Sequence, residues 1–499
     1  MKKNCLVFIP TGLNSPEVEV LSASAQKLIN EGSNVTILVC KGGKNYHCAK
    51  NVFSINSICS LCIKRRTKII NNIKGNFKLV ETPEIPNPKK LKIFKNFMKL
   101  KKHKINNIDS GLAAYSSYLD KSRDKDLHGF FAKWTISRLV YTTDFLTNFY
   151  DIFLKKNKFN LQVTFNGRMN LYRPLFRLGA KYKVELKNLE TLHDGKKLVV
   201  HNLKDALIND YDQMPKLMNE HWEKNKRKQN SRKFFADKFY NNVKKFNTQM
   251  ENPKSFLSSQ KKNFLPKNWD FNKFNICYYV SSEDEYESIV KKKNDSIFKN
   301  QFESIIEISK IVKNIKNINF YIRMHPNLEK IKWSYVSDIL KIKGMYQNSF
   351  IIDSNSPVST HALMKEVNLV IGLRSRTLLE ATYINKPTII VGRSYWDTLG
   401  PFIKIKNKIQ LSNLIISKKV KCYGNLAASK YAYFWLTHGK SINYVSGKYF
   451  WSHDKKIVKP KYKFNKKSVE FSKVELFLYY LSKSVEKFLI NLNYYLSKK

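Results

Sequence analysis

Residues 320–400 alternate between short apolar runs and segments with helical spacing, and this alternation restricts the possible folds most strongly. The apolar runs cover residues 320–324, 350–352, 369–371 and 388–391, each of strand length. Runs that are apolar throughout are typical of strands buried on both faces, and helices between them indicate parallel βαβ units. The sequence therefore predicts an α/β fold with a parallel sheet in this region.

Polar residues follow these runs, where each strand is expected to end. In an open parallel sheet, ligands bind outside the carboxyl ends of the strands. The candidate ligand-binding residues at these ends are Arg323, His325, Gly372, Ser375 and Thr377. The last three lead into a helix whose free N–H groups can hold a phosphate, and Glu380 within it is a candidate partner for ribose hydroxyls. The alternative is that the polar residues only cap helices.

A strand, a His-Pro pair and a Gly/Ser helix start followed by Glu-Ala occur here in one order. This order resembles the C-terminal half of GT-B glycosyltransferases, in particular bacterial capsule and lipopolysaccharide transferases. The resemblance implies two Rossmann-like domains facing a cleft, the second of which binds a nucleotide sugar. It also implies catalysis without a metal, in which Arg323, His325 and residues 375–377 stabilise the charge of the leaving nucleotide.

The N-terminus has a similar pattern. Residues 5–9 predict a buried strand, Pro16 and Glu17 begin a helix, and residues 35–39 predict a second strand. This opening resembles the acceptor-side domain of a GT-B enzyme, and it has no Gly-x-Gly-x-x-Gly motif. Glu17 is a candidate base for the acceptor hydroxyl, and the alternative is an acid that only complements the helix dipole.

A second motif, Asn166-Gly167-Arg168, follows the apolar run at residues 161–165. Glycine permits a tight turn, and arginine offers a planar group for phosphate or carboxylate. Without the resemblance, the motif reads as a plain turn. In the transferases that the chain resembles, such a strand, a short helix and a strand ending in Glu line the acceptor side. The resemblance therefore makes Glu185 a second candidate base, although the two residues after it depart from the Arg-Gly of the relatives.

Residues 274–280 predict the first strand of a second domain, and Ser281 and Ser282 follow it with a run of acids. Two hydroxyls at a strand end are suited to phosphate or sugar, while a helix cap with an acidic first turn explains the acids fully. The polar, Lys- and Asn-rich stretch before this strand indicates a linker. The predicted organisation is an N-terminal domain at 1–220, a linker at 221–272, a C-terminal domain at 273–415 and a helical extension at 416–499.

Four of the seven cysteines lie close together in sequence, at Cys40, Cys48, Cys59 and Cys62. Cys59 and Cys62 have the spacing of one edge of a tetrahedral zinc site, and the other two could provide the opposite edge. The alternative is a set of ordinary buried thiols. Some capsule-assembly relatives resemble this chain in having such a cluster, so structural zinc is a candidate cofactor. The cysteine usage is typical of a reducing compartment rather than of a disulfide framework.

The chain has 90 Lys and Arg against 39 Asp and Glu, a net charge of +51. Such an excess ordinarily indicates nucleic acid or an anionic membrane as partner. Lys, Asn and Ile are abundant throughout, however, and no RRM, KH or zinc-finger pattern accompanies the charge, so nucleic acid is not the expected partner. The N-terminal apolar run is too short for a signal peptide, and no run reaches about 18 apolar residues. A cytoplasmic protein is expected, peripheral to the membrane at most.

Two segments have amphipathic spacing. Residues 89–104 predict a basic helix, which suits a lipid-linked acceptor or packs on the core. Residues 474–496 predict a long helix that either returns to the N-terminal domain, as the final helices of GT-B enzymes do, or lies on a membrane. We favour the first position for the long helix.

The predicted function is transfer of a sugar from a nucleotide-sugar donor to a glycan or lipid-linked glycan of capsule or lipopolysaccharide. Three alternatives remain open at this point. They are transfer of a polyol phosphate of the CDP-glycerol type, epimerisation of a sugar nucleotide, and a non-enzymatic role in binding nucleic acid.

Overall fold

The computed structural model describes residues 2–13, 16–94, 96–193, 198–224, 229–241, 260–289, 296–445, 448–451 and 473–496. The chain divides into two compact units. Unit 1 comprises residues 1–208, 287–289 and 439–499, and unit 2 comprises residues 209–286 and 290–438. The sheet of each unit determines where its polar side chains lie.

Strands and helices alternate along the described residues. The strands are β1 (Asn4–Ile9), β2 (Asn34–Val39), β3 (Lys78–Glu81), β4 (Leu161–Phe165), β5 (Glu185–His193), β6 (Leu198–Asn202), β7 (Phe274–Tyr279), β8 (Ile318–Arg323), β9 (Ser349–Ile352), β10 (Leu369–Gly372), β11 (Thr388–Ile390), β12 (Ile403–Lys404), β13 (Lys440–Val445) and β14 (Lys448–Trp451). The helices are α1 (Glu17–Asn30), α2 (Asn56–Ile70), α3 (Phe97–Lys102), α4 (Ser110–Ser122), α5 (Gly129–Lys156), α6 (Tyr172–Lys181), α7 (Gln213–Glu223), α8 (Gln229–Phe239), α9 (Gln301–Val312), α10 (Ser334–Leu340), α11 (Thr360–Glu366), α12 (Thr377–Tyr383), α13 (Lys408–Ser417), α14 (Leu426–Thr437) and α15 (Lys473–Leu496).

The sheet of unit 1 has the strand order β14-β13-β6-β5-β4-β1-β2-β3. Strands β1 to β5 pair in parallel, and β6, β13 and β14 continue the sheet in antiparallel fashion. The central strand β1 is apolar after its first residue because helices cover both of its faces. Phe8 of β1 packs edge-on against Tyr150 of α5 and Tyr172 of α6, with ring centroids 5.7 and 5.3 Å apart.

The sheet of unit 2 is parallel throughout, in the order β12-β11-β10-β7-β8-β9. The four strands expected from the apolar runs are β8 to β11, and their observed bounds lie within two residues of the predicted ones. The predicted α/β class with two Rossmann-like sheets is therefore confirmed. In each unit the first strand lies in the middle of the sheet, so the strand order reverses beside it: between β1 and β4 in unit 1, and between β7 and β10 in unit 2.

The division into units differs from the predicted domains in two places. Helices α7 and α8, within or beside the predicted linker 221–272, pack in unit 2, where Tyr240 stacks on Tyr383 at 4.4 Å. The Nζ atom of Lys430 on α14 also donates to the Asn219 side chain at 2.9 Å. Aromatic anchors thus hold a segment whose polar composition is typical of a linker. Residues 242–259 of that linker lie outside the described residues.

The second difference concerns the predicted extension at 416–499. Its first part, up to residue 438, belongs to unit 2, and the chain then returns to unit 1 through β13 and α15. Helix α15 packs on α2 and α5, which is the first of the two positions considered for it. The basic helix expected at 89–104 is shorter than predicted, since only α3 is helical there. Within the described ranges, no helix combines the length and apolar character that crossing a membrane requires.

Phe8 supports a prediction about unit 1, because its side chain is fully buried between α5 and α6. We expect Phe8→Ala to lower the free energy of unfolding by about 3–5 kcal/mol, since it leaves a cavity that the neighbouring rings cannot fill. Chemical denaturation followed by circular dichroism measures this change. Phe130→Ala is the matched control, because Phe130 is 74% exposed and its loss should change stability by less than about 0.5 kcal/mol. Equal losses in both variants would contradict the assigned core.

Candidate functional site

The point where the strand order reverses in unit 2 gathers several of the predicted ligand-binding residues. Strand β7 ends just before Ser281 and Ser282, and the adjacent strand β10 ends at Gly372. A Cβ atom added to Gly372 would lie 3.2 Å from the carbonyl oxygen of Tyr279 and 3.2 Å from a methyl group of Leu378. Glycine therefore lets β7, β10 and α12 meet closely at the edge where doubly wound sheets bind ligands.

The hydroxyls of Ser375 and Thr377 at this edge take part in hydrogen bonds within the protein. Ser375 Oγ donates to Thr377 Oγ1 at 3.0 Å, and the backbone N–H of Thr377 donates back to Ser375 Oγ at 3.4 Å. Helix α12 has only 7 residues, so its dipole gives less support to a phosphate than a longer helix would. The two side chains thus order the start of the helix, and phosphate binding there stays a prediction.

Ser281 has a structural role. Its N–H and Oγ both donate to Gln301 Oε1, at 2.6 and 3.1 Å, and Gln301 Nε2 donates to the Ser281 carbonyl at 2.9 Å. Glu283, in the acidic run, accepts a hydrogen bond from the N–H of Gln301 at 2.8 Å. The run forms a short 3-10 helix at Glu283–Glu285, as the alternative reading expected, and it also holds the first residue of α9. Ser282 is buried beside it and keeps its predicted role as a candidate ligand.

Arg323 ties the end of β8 to two neighbouring connections. Its Nη1 donates to the carbonyl of Asp353 at 2.5 Å, and its Nε lies 3.5 Å from Thr360 Oγ1 at the start of α11. The side chain is 2% exposed, and burial lowers its pKa to about 10. Nη2 makes no hydrogen bond with the described residues. Arg323 therefore fixes the loops around the site, and direct contact with a leaving nucleotide stays a prediction.

A charged cluster surrounds Glu380, one turn into α12. His361 Nε2 lies 3.6 Å from one carboxylate oxygen and Arg376 Nε lies 3.9 Å from the other. Burial alone would raise the pKa of Glu380, but the hydrogen bond and charge of His361, with the charges of Arg376 and His325, lower it overall. His325 Nδ1 accepts the N–H of Asn327 at 3.1 Å, so in the neutral ring Nε2 carries the proton. Glu380 and His325, predicted from separate motifs, thus belong to one cluster.

Glu17 lies at the corresponding reversal point of unit 1, at the start of α1. It is buried, and its carboxylate accepts a hydrogen bond from the hydroxyl of Tyr172 at the start of α6. The bond joins the connections that follow β1 and β4. A carboxylate used in this way holds the two helix starts together, and its role as the catalytic base stays a prediction.

Glu185 does not lie where the sequence analysis placed it. It is the first residue of β5 rather than the last, it is exposed, and it pairs with Leu161 at the start of β4. The Asn166-Gly167-Arg168 motif follows the other end of β4, where Phe165 pairs with Leu189. Glu185 is therefore on the amino edge, about 13 Å from the carboxyl edge. The prediction of a strand ending in Glu185 is wrong, because β5 continues to His193.

Glu190, which the sequence pattern did not identify as a candidate, lies at the carboxyl edge where Glu185 was expected. Asn166 Nδ2 donates to one carboxylate oxygen at 2.6 Å, and the N–H of Thr191 donates to the other at 3.0 Å. Glu190 is buried, and burial raises its pKa more than these bonds and the charge of Arg168 lower it. The local sequence around Glu190 does not indicate this position. Only the observed bounds of β5 show which edge of the sheet a residue within the strand reaches.

The turn expected at Gly167 is confirmed. Asn166 and Gly167 have φ angles of 60° and 69°, so two successive residues adopt the left-handed conformation that glycine tolerates best. Asn188 Nδ2 donates to the Asn166 carbonyl at 3.2 Å and holds this turn against β5. The motif thereby places the Asn166 amide beside Glu190 and keeps the Arg168 charge nearby.

The four clustered cysteines are free thiols, and two of them accept hydrogen bonds from the protein. The N–H of Gly12 donates to Cys62 Sγ at 3.1 Å, and Asn51 Nδ2 donates to Cys59 Sγ at 3.2 Å. Burial raises the pKa of Cys40, Cys48 and Cys59, that of Cys48 to about 12, which opposes the thiolate form that zinc requires. No three His, Cys, Asp or Glu side chains of the described residues are grouped to hold a metal. The arrangement of Cys40, Cys48, Cys59 and Cys62 thus gives zinc no support, and the zinc site stays a prediction.

The comparisons with known proteins add a distant likeness. Neither the protein-family models nor the curated proteins give a match to this sequence. A solved structure of Thermosulfurimonas dismutans KpsC, described as a β-Kdo 2,4 transferase, is 10% identical, with 59% of this chain and 85% of that chain covered and a TM-score of 0.36. The UDP-GlcNAc 2-epimerase of Methanocaldococcus jannaschii, solved with UDP-GlcNAc and UDP, is 12% identical, with 87% and 100% covered and a TM-score of 0.27. Similarity this low assigns no activity to this chain.

The pKa of Glu190 predicts a pH-dependent effect on stability. Because burial raises this pKa, the folded chain keeps the proton to a higher pH than the unfolded chain, and stability falls as pH rises from the unfolded-state pKa through the folded-state pKa. Glu190→Gln should remove this loss, so the stability of the variant relative to the wild type should increase as pH rises above about 4. Denaturation at several pH values measures the trend. Glu185→Gln, at an exposed position, should show none; an equally flat trend for Glu190→Gln would contradict the assignment.

Proposed function

We propose that this protein is a glycosyltransferase that moves a sugar from a nucleotide-sugar donor to a capsule or lipopolysaccharide glycan. One observation carries the proposal: each doubly wound sheet presents chemically suited side chains at the carboxyl edge of its parallel strands. Unit 2 has a histidine, an ionised carboxylate and hydroxyls there, and unit 1 has a buried carboxylate of raised pKa beside an Asn-Gly-Arg turn. The proposal assigns donor binding to unit 2 and activation of the acceptor to unit 1.

Glu190 is the proposed general base. Its carboxylate would take the proton of the acceptor hydroxyl while the hydroxyl oxygen bonds to the anomeric carbon and the bond from that carbon to the nucleotide phosphate breaks. A raised pKa suits this role, because a base is most effective when its pKa approaches the working pH. Asn166 holds the carboxylate in place, and Arg168 offers a cation to an anionic acceptor.

Donor binding is assigned to the Glu380 cluster. Glu380 is suited to accept hydrogen bonds from ribose hydroxyls, since its lowered pKa keeps it ionised. His325, with Nε2 as donor, and Arg376, which is 47% exposed, are suited to the diphosphate and to the charge that develops on it. Ser282, Ser375 and Thr377 complete the proposed contacts, while Arg323 holds the surrounding loops.

The acceptor is proposed to be a glycan or a lipid-linked glycan. A lipid-linked acceptor would require the protein to work at the inner face of the cell membrane, in agreement with the expected cytoplasmic, peripheral location. The excess of basic residues suits such an acceptor, because lipid-linked glycans carry phosphate at the lipid end.

A thermal-shift screen of the full chain against CMP, CDP, UDP, GDP, dTDP and a short oligonucleotide tests donor binding. We expect one nucleoside diphosphate or monophosphate to stabilise the protein, by about 2.7 kcal/mol at 100 times its Kd. Glu380→Gln should reduce this stabilisation, because a neutral amide accepts weaker hydrogen bonds than a carboxylate. Glu366→Gln is the matched control in unit 2, since Glu366 is the last residue of α11 and its carboxylate lies 3.8 Å from Nζ of its neighbour Lys365.

The outcomes of this screen separate the alternatives. With the nucleotide that the screen identifies, transfer of glycerol phosphate from CDP-glycerol would show a polyol-phosphate transferase, and interconversion of a sugar nucleotide without an acceptor would show an epimerase. Tight oligonucleotide binding with no response to any nucleotide would overturn the proposal. An equal response of Glu380→Gln and Glu366→Gln would remove Glu380 from the donor site.

Glu190→Gln tests the base with the donor that the screen identifies. We expect kcat to fall by about 10²-fold or more while the Kd of the donor is unchanged, because glutamine cannot take the proton and Glu190 lies in unit 1. Release of the nucleotide from the donor sugar measures the rate. Glu185→Gln should keep the wild-type rate, and a wild-type rate in Glu190→Gln would exclude Glu190 as the base.

A further inference from the structure

Helix α15 carries large apolar side chains on a face that the rest of unit 1 leaves exposed. This outer stripe consists of Val474, Phe477, Leu478, Leu481, Val485, Phe488, Leu492 and Leu496. Spacings of three and four residues place them on one side of the helix. Val474, Phe477 and Phe488 are 67%, 66% and 63% exposed. Single exposed apolar residues are ordinary, but a continuous row of this length indicates an interaction surface.

The buried side chains described on the inner face of α15 are polar, namely Ser482, Glu486 and Asn493, and hydrogen bonds along this face fix the orientation of the helix. Ser482, on this face, lies 2.7 Å from Ser57 of α2, Oγ to Oγ, and Asn493 accepts the N–H of Ala132 on α5 at 3.1 Å. Lys483 Nζ, between these points, donates to the carbonyl of Lys50 at 2.7 Å. Turning the outer stripe inward would break all three contacts. The helix is therefore held with its apolar side outward.

The charge around the outer stripe is positive. Lys487 is exposed on α15, one residue before Phe488 of the outer stripe. Glu486, an acid of α15 whose side chain is among the described ones, is 3% exposed and is paired with Lys483 at 2.6 Å, so its charge is neutralised toward the interior. The whole chain carries +51. A partner for this surface should therefore be apolar in its interior and anionic at its edge.

We infer that the outer stripe is a binding site for the surface of an anionic phospholipid bilayer. The helix lies in the plane of the interface, with its apolar side chains among the upper acyl chains and the lysines at the lipid phosphates. This inference is independent of the proposed transferase activity.

Charge favours the bilayer over a second copy of this chain. The alternation of three and four residues also fits a coiled-coil seam, but the exposed positions beside the stripe include Ser484, Lys487 and Asn491, and none of the described ones is an acid that could pair with a lysine of a second copy. Two copies at +51 each also repel one another. An anionic lipid surface provides the opposite charge along the whole stripe.

Sedimentation of the full chain with lipid vesicles tests the inference. Vesicles of phosphatidylcholine with about a third phosphatidylglycerol should carry the protein down, and pure phosphatidylcholine should carry much less. Leu481→Ser with Phe488→Ser should weaken binding to the anionic vesicles by about tenfold or more, because two apolar anchors are lost. Both changes are on the exposed face, so the melting temperature of the variant should match that of the wild type.

Leu79→Ser with Ile152→Ser is the matched control, because these side chains are 52% and 54% exposed on other parts of unit 1. The control should bind the anionic vesicles as the wild type does. Equal binding by the stripe variant, or no binding by the wild type, would overturn the inference. A dimer in analytical ultracentrifugation that only the stripe variant loses, without any vesicle binding, would overturn it in favour of a second copy.

Discussion

Burial of the parallel strands on both faces is the constraint on which the rest of the structure depends. A strand covered by helices on both sides can hold few polar side chains along its length, so polar groups collect where strands end. In unit 2 this brings the residues after β7, β8 and β10 to one edge, and in unit 1 it brings the connections after β1 and β4 together. The position of the candidate site thus follows from the way that the core is built.

The buried polar groups at these edges are stabilised by specific partners. Arg323 is held by the Asp353 carbonyl, Glu190 by Asn166 and the Thr191 N–H, and Glu380 by His361. A buried charge without such a partner would cost several kcal/mol, so each contact serves stability as well as position. The surroundings also determine the pKa of each carboxylate. Desolvation raises the pKa of Glu190, while neighbouring cations lower that of Glu380. Two carboxylates of one residue type therefore acquire different chemical roles from their surroundings.

The path of the chain explains both the domain boundaries and the exposed face of α15. The chain leaves unit 1 after residue 208 and returns for good at residue 439, so sequence neighbours are separated and distant segments pack together. Aromatic contacts such as Tyr240 with Tyr383 hold α8 in unit 2, and Asn493 with Ala132 holds α15 on unit 1. These partners are more than 100 residues apart in sequence, so no local pattern reveals them.

Local apolar runs and backbone preferences were enough to predict the α/β class and the turn at Gly167. They also predicted the strands β1, β2, β4 and β7 to β11. The sequence by itself also identified residues at the carboxyl edges, including Asn166, His325 and Glu380. Only the tertiary structure decided that Glu190 rather than Glu185 reaches the carboxyl edge, since the answer depends on strand register. The tertiary structure also showed that Gln301 takes up the hydrogen-bonding groups of Ser281. It showed that α15 turns its buried polar side chains inward, because hydrogen bonds between distant elements, rather than periodicity, select the buried side.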